Sequence, residues 1–122
     1  MKAAIYSQKK DLDTFLYLNK FISELALRDV SVVLHSEMAE NLNFSKDFDT
    51  FSGKDELKSK NVNIVFSFGG DGTILNALTF IQDLEIPIIG VNTGRLGFLA
   101  NFRKDQIFDE LDFVTITDGV MV

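Results

Sequence analysis

Residues 66–75 read FSFGGDGTIL, with Gly69, Gly70 and Gly72 crowded around Asp71 between two apolar runs. Glycine weakens strands and helices alike, so three in one short stretch call for a use. Upstream, Asn63–Phe68 (NIVFSF) is a continuous apolar run of strand length, as expected for a buried central strand of a parallel sheet. Downstream, Ile74, Leu75, Leu78 and Ile81 recur at helical spacing, which predicts a helix from about Thr73.

The same alternation extends in both directions. Lys2–Ser7 reads as a first strand, and Asp11 or Asp13 as the cap of a helix carrying Phe15, Leu18, Ile22 and Leu25 to about Arg28. Val30–His35 (VSVVLH) is β-branched and reads as a second strand. From Glu37 to Lys60 no clean period holds, and this predicts a solvated connection with short helices at Ser36–Leu42 and near Lys54–Ser59. Pro87 opens a strand ending in PIIGV, because a strand's first residue tolerates a missing N–H. A second glycine loop, NTGRLGFL, fills Asn92–Leu99, followed by an expected helix at Lys104–Leu111 and a last strand at Phe113–Thr117. Strands alternating with helices predict an α/β domain with a mainly parallel sheet between helical layers. Ligands bind such sheets at the carboxyl ends of the strands. Both glycine loops fall there, on one rim.

A strand ending in glycines and feeding a helix makes a phosphate cradle. The bare backbone turns sharply and aims N–H groups at anionic oxygens, and the helix adds its positive end. Asp71 then needs its own reason, since a carboxylate repels phosphate. It reads as a base for a hydroxyl or as an indirect partner of a magnesium ion. The alternative is a tight βα turn with Asp71 as helix N-cap. The spacing is neither the P-loop pattern nor G-x-G-x-x-G.

Composition narrows the classes. The chain has 122 residues, 46% hydrophobic and 25% charged, as in a soluble globular domain. A net charge of −6 argues against a general nucleic-acid binder. It does not exclude a phosphorylated small molecule. Having no cysteine, the chain has no disulfide, thiolate metal site or thiol nucleophile. No apolar stretch approaches the roughly 20 residues of a membrane span, and Ala3–Tyr6 is too short for a signal-peptide core. The expectation is a cytoplasmic protein with no membrane partner.

Gly69–Thr73, GGDGT, resembles a signature shared by NAD kinases, diacylglycerol and sphingosine kinases and, as GGDG, the 6-phosphofructokinases. Ile88–Phe102, IIGVNTGRLGFLANF, resembles the NAD kinase motif G-[IV]-N-x-G-x-L-G-F-L, which lipid kinases lack. The pair spans Asn63–Phe102; the earlier residues match only in strand–helix order. The resemblance implies a Rossmann-like domain of an enzyme that phosphorylates the 2′-hydroxyl of the adenosine ribose of NAD. ATP or polyphosphate is the implied donor, with a divalent cation, magnesium. Carried over, Asp71 is the proton acceptor, and Asp71, Gly72, Phe98, Asn92 and Asn76 are the NAD side of the site. Asn92 is also suited to holding its loop, and Asn76 stands where some members carry a basic residue. Gly69, Gly70 and Thr73 fit the phosphate side. The family continues into a β-rich domain with an Asn-acid pair, which residues 1–122 do not contain, so the expectation is a single N-terminal domain, inactive alone. The full-length enzyme is expected to be a homo-oligomer. A lipid kinase domain and a non-catalytic nucleotide-binding module are the other readings.

His35, the only histidine, is expected at the surface, and Arg95 as a solvated loop residue that reaches a phosphate only in the alternative. Asp109, Glu110 and Asp112 read as a solvated helix face rather than a metal site. The phenylalanines are expected in the core.

Overall fold

A computed structural model describes residues 1–94, 100 and 102–116, with the side chains of 113–116 excepted. The strands are β1 (Lys2–Ser7), β2 (Ser31–His35), β3 (Asp49–Phe51), β4 (Ile64–Gly69), β5 (Ile88–Asn92) and β6 (Phe102–Arg103). Between them run α1 (Leu12–Ala26), α2 (Ser36–Asn41), α3 (Lys54–Ser59) and α4 (Asp71–Ile81), with α5 (Ile107–Ile116) last. All six strands are parallel, in the order β3-β2-β1-β4-β5-β6. The chain therefore winds outward one way from β1 and the other way from β4. That reversal leaves a crevice at the carboxyl ends of these neighbouring strands, where open α/β sheets take their ligands.

The period-2 alternation of the strands feeds two cores. On one face Ile5, Phe66, Phe68, Ile89 and Val91 pack with Leu18, Phe21 and Leu25 of α1 and with Ile107 and Leu111 of α5. Phe21 meets Phe66 and Phe68 edge-on, with centroids 5.0 and 4.8 Å apart, a geometry that ring quadrupoles favour. On the other face Ala4, Val33, Phe51 and Val65 pack with Leu57 of α3 and Ile81 of α4. Every residue of β4 is buried, and apart from Ser67 none carries a polar side chain. Asp11, and not Asp13, caps α1: its carboxylate accepts from Thr14 N at 2.8 Å. Among the described residues, no helix is long and apolar enough to cross a membrane.

Three expectations need correction. Two edge strands were not foreseen. β3 lies in the stretch read as a polar connection, and only Phe51 of its three residues is buried; β6 has two residues. Residues 113–116 continue α5 instead of forming a strand. Ile107 and Leu111, both fully buried, seat that helix on the first core, and Arg28, in the turn after α1, ties to Asp112 at 2.6 Å. Tertiary packing overrides the β-branched run there. Residue 117 lies outside the described residues. α5 also starts later than expected, because Lys104–Gln106 form a turn with Lys104 N donating to Asn92 O at 2.9 Å. Finally, His35 is not at the surface; only 8% of it is exposed.

Candidate functional site at the carboxyl rim

The glycine turn is held by packing from beneath. Gly69 has φ +153°, and a Cβ there would collide with the Thr73 hydroxyl and stand 2.9 Å from Thr73 Cβ. On the neighbouring strand Gly90, the register partner of Ser67, leaves room for Ile74: a Cβ would collide with Ile74 Cδ1 and lie 3.2 Å from Ala100 Cα. The two vacancies let the first turn of α4 sit against β4 and β5. Gly70 and Gly72 differ, since a Cβ on either would meet nothing within 4 Å. Both are exposed. Packing among the described residues does not require their bareness, and a bare backbone there leaves room for a close approach.

The rim is graded in bulk. Across one row of the sheet, on the α4 face, stand Phe51, His35, Tyr6, Ser67 and Gly90, as the strand register and ring contacts align them. At the glycine end α4 descends onto the sheet. At the aromatic end it is held off, and a cleft of about 500 Å³ opens between Tyr6, His35, Phe80, Asn76 and the β1–α1 loop. Asn76 Nδ2 donates to the Tyr6 hydroxyl inside this cleft. His35 packs edge-on to Tyr6 and Phe51 at 4.9 and 5.4 Å and lies 5.0 Å from Phe80. Its Nδ1 accepts from Met38 N at 3.5 Å, a weak cap on α2. Burial holds the imidazole below its ordinary pKa, and the Glu37 carboxylate pulls the other way.

Asp71 is the first residue of α4, half-buried, with Gly70 as the N-cap residue. Asp71 is therefore not itself the N-cap residue. A carboxylate in the first turn still favours the helix, through its macrodipole. Thr73 is 7% exposed, and its hydroxyl donates to Gln8 Oε1 at 3.1 Å, joining the glycine turn to the β1–α1 loop. On the other side Thr93 N donates to Gly69 O at 3.3 Å, joining the turn to the loop after β5. Asn92, 2% exposed, accepts from Gly94 N at 2.8 Å, so its side chain shapes that loop.

The structure thus gathers Gly69, Gly70, Asp71, Gly72, Thr73 and Asn92 on one rim. Asn76 is set apart from them, on the cleft side of α4. Phe98 and Arg95 lie outside the described residues. Sequence reasoning passed over Gln8, Lys9 and Lys10, whose only signal was their position directly after a first strand. Asp109, Glu110 and Asp112 are exposed on α5, and Asp112 pairs with Arg28. Among the described residues, no group of three or more His, Cys, Asp or Glu side chains is arranged to hold a metal.

Comparison with known proteins agrees with this geometry. The family model of the ATP-NAD kinase N-terminal domain matches residues 8–118. The NAD kinase of Christiangramia forsetii is 37% identical over 116 residues, covering 92% of this chain and 39% of the relative. That of Flavobacterium psychrophilum is 33% identical over 118 residues, covering 93% and 40%. This chain thus spans well under half the length of these curated relatives. Among solved structures, yeast NADH kinase complexed with NADH superposes with a TM-score of 0.71 at 20% identity, over 98% of this chain and 38% of that one. At that identity the likeness speaks for the fold alone: a Rossmann-like α/β domain. With the family model matching nearly end to end, the chain belongs to the NAD kinase family, through its ATP-NAD kinase N-terminal domain.

Proposed function

We propose that this chain is the phosphate-handling part of an enzyme that transfers the terminal phosphoryl group of ATP to the 2′-hydroxyl of the adenosine ribose of NAD. The ribose oxygen attacks the γ-phosphorus, the bond from that phosphorus to the β-phosphate bridging oxygen breaks, and ADP leaves. The hydroxyl proton passes to the Asp71 carboxylate. The observation that carries the reading is the position of Asp71 in the first turn of α4, between two exposed glycines that no packing among the described residues requires. Such a turn offers N–H groups to the developing phosphoryl charge while its one carboxylate holds the attacking hydroxyl in line.

In this reading Gly69 and Thr73 hold the turn, and Gly70 offers its N–H to the transferred phosphate. Asp71 and Gly72 face the ribose, with Phe98 and Asn92 of the second loop on the NAD side. Asn76 contributes from the cleft, through Tyr6. The donor set suits a divalent cation that arrives with the nucleotide phosphates, since magnesium takes one or two carboxylates and keeps its waters. Asp71 would meet it only indirectly, through a water, which leaves the carboxylate able to take the proton. The cation would neutralise phosphate charge. A cytoplasmic location and a homo-oligomeric whole enzyme belong to the same reading.

The test is a chimera in which this chain replaces the matching segment of the Christiangramia forsetii NAD kinase. It should form NADP from NAD and ATP, and should not phosphorylate diacylglycerol. The 122-residue chain alone should give no NADP above a mock preparation, because positioning two substrates accounts for much of the rate. A folded chimera that phosphorylates the lipid, or neither acceptor, contradicts the reading.

A further inference from the structure

We propose that Gln8 is a positioning residue of the transfer site: through Thr73 it holds the glycine turn, and with it Asp71, against the loop that follows β1. The proposal rests on the kinase reading above and adds to it a side chain outside both glycine loops.

The start of α4 calls for such an anchor. Asp11 caps α1 and His35 caps α2, each side chain accepting from a first-turn N–H. The N-cap residue of α4 is Gly70, which brings no side-chain oxygen to fix the helix start. Main-chain bonds hold the turn from within and from the β5 side. Thr73 N and Ile74 N donate to Gly70 O at 3.1 and 3.2 Å, and Thr93 N donates to Gly69 O at 3.3 Å. Toward β1 the bond is made by side chains, the Thr73 hydroxyl donating to Gln8 Oε1 at 3.1 Å.

Register brings this pair together across 65 residues of chain. Ser7 is the partner of Phe68, so Gln8, one residue on, comes level with Gly69 where the winding of the sheet reverses. Thr73 folds back over Gly69, into the space a Cβ would fill, and is buried there. Its hydroxyl therefore engages the β1 side.

Magnitudes separate positioning from plain stabilisation. Gln8 is exposed, and one hydrogen bond at an exposed side chain adds little to global stability. Asp71 precedes Thr73 by two residues in the same helical turn, so a tilt of Thr73 moves the carboxylate and its neighbouring N–H groups together. At a transfer site a misplacement of about 1 Å costs on the order of 10²-fold in rate. Loss of the bond should therefore appear in turnover and barely in melting.

A double-mutant cycle in the Christiangramia forsetii chimera tests this. Gln8→Ala and Thr73→Val each remove one partner, and valine keeps the branched shape that fills the space over Gly69. Each should lower kcat about tenfold, with melting close to the parent and KM for NAD within several-fold. The double variant should fall no further than the singles. Thr73→Ser, which keeps the hydroxyl without the methyl, should recover most of the turnover lost in Thr73→Val. In the 122-residue chain, amide hydrogen exchange at Thr73 and Ile74 should quicken several-fold in Gln8→Ala, while Ala77 and Ile81 keep their rates. The anchor is wrong if Gln8→Ala leaves kcat unchanged or if exchange at Thr73 and Ile74 does not change. It is also wrong if the two kinetic losses multiply, which would put Thr73 on the substrate independently of Gln8. A parent chimera that makes no NADP discards the kinase reading, and the exchange rates then decide by themselves whether Gln8 holds the turn.

Discussion

Gly69 and Gly72 belong to one turn, but their missing side chains answer to different demands. Gly69 needs a left-handed φ of +153° and space that Thr73 occupies, so Gly69→Ala should cost about 2–3 kcal/mol of stability. Gly72 is helical, and a Cβ there would meet open space. Gly72→Ala should leave stability unchanged or raise it by up to about 1 kcal/mol, the helix preference of alanine over glycine. The same substitution should lower the chimera's kcat/KM for NAD about tenfold, a loss of roughly 1.4 kcal/mol in transition-state contact. Urea melts of both variants with kinetics of the second check this. Equal losses of stability would mean that both glycines serve packing alone.

At the scale of elements, β4 and α4 were legible because β4 is apolar but for Ser67, the glycines mark its stop, and α4 keeps a helical period of apolar residues. β3 was hidden because an edge strand of three residues needs only one buried side chain, Phe51. α5 was half-read, since the Phe113–Ile116 run favours a strand locally while Ile107 and Leu111 anchor a helix. His35 was misplaced because a sequence does not reveal that Tyr6, Phe51 and Phe80 converge on the end of β2. Of the site, the glycine turn was legible, but the cleft was not, because it is made by β1, β2, β3 and α4 together. The buried histidine has a pH consequence. Its folded pKa is lowered from 6.5 by burial, so the unfolded chain binds the proton more readily. His35 thus contributes stability fully above the unfolded pKa, and this is lost as pH falls from about 6.5 through the folded value. Melting between about pH 7.5 and 5.5 should show the wild type losing stability relative to His35→Phe, which fills the aromatic site without titrating. Parallel curves would mean that the imidazole titrates alike in both states.

For the whole molecule, the account is a sheet whose winding reverses between β1 and β4, a glycine turn beside that reversal, and one carboxylate presented by the turn. The family assignment follows from the match over residues 8–118. The chemistry follows from Asp71 if the carboxylate takes the ribose proton, since general-base assistance supplies about 10²–10⁴-fold. Asp71→Asn keeps the shape and much of the hydrogen bonding and removes the charge. The most direct measurement is steady-state kinetics of this variant in the Christiangramia forsetii chimera, with melting to confirm folding. The account predicts kcat lowered by about 10²–10⁴-fold with KM for NAD within several-fold of the parent. A folded variant with near-normal kcat would contradict it.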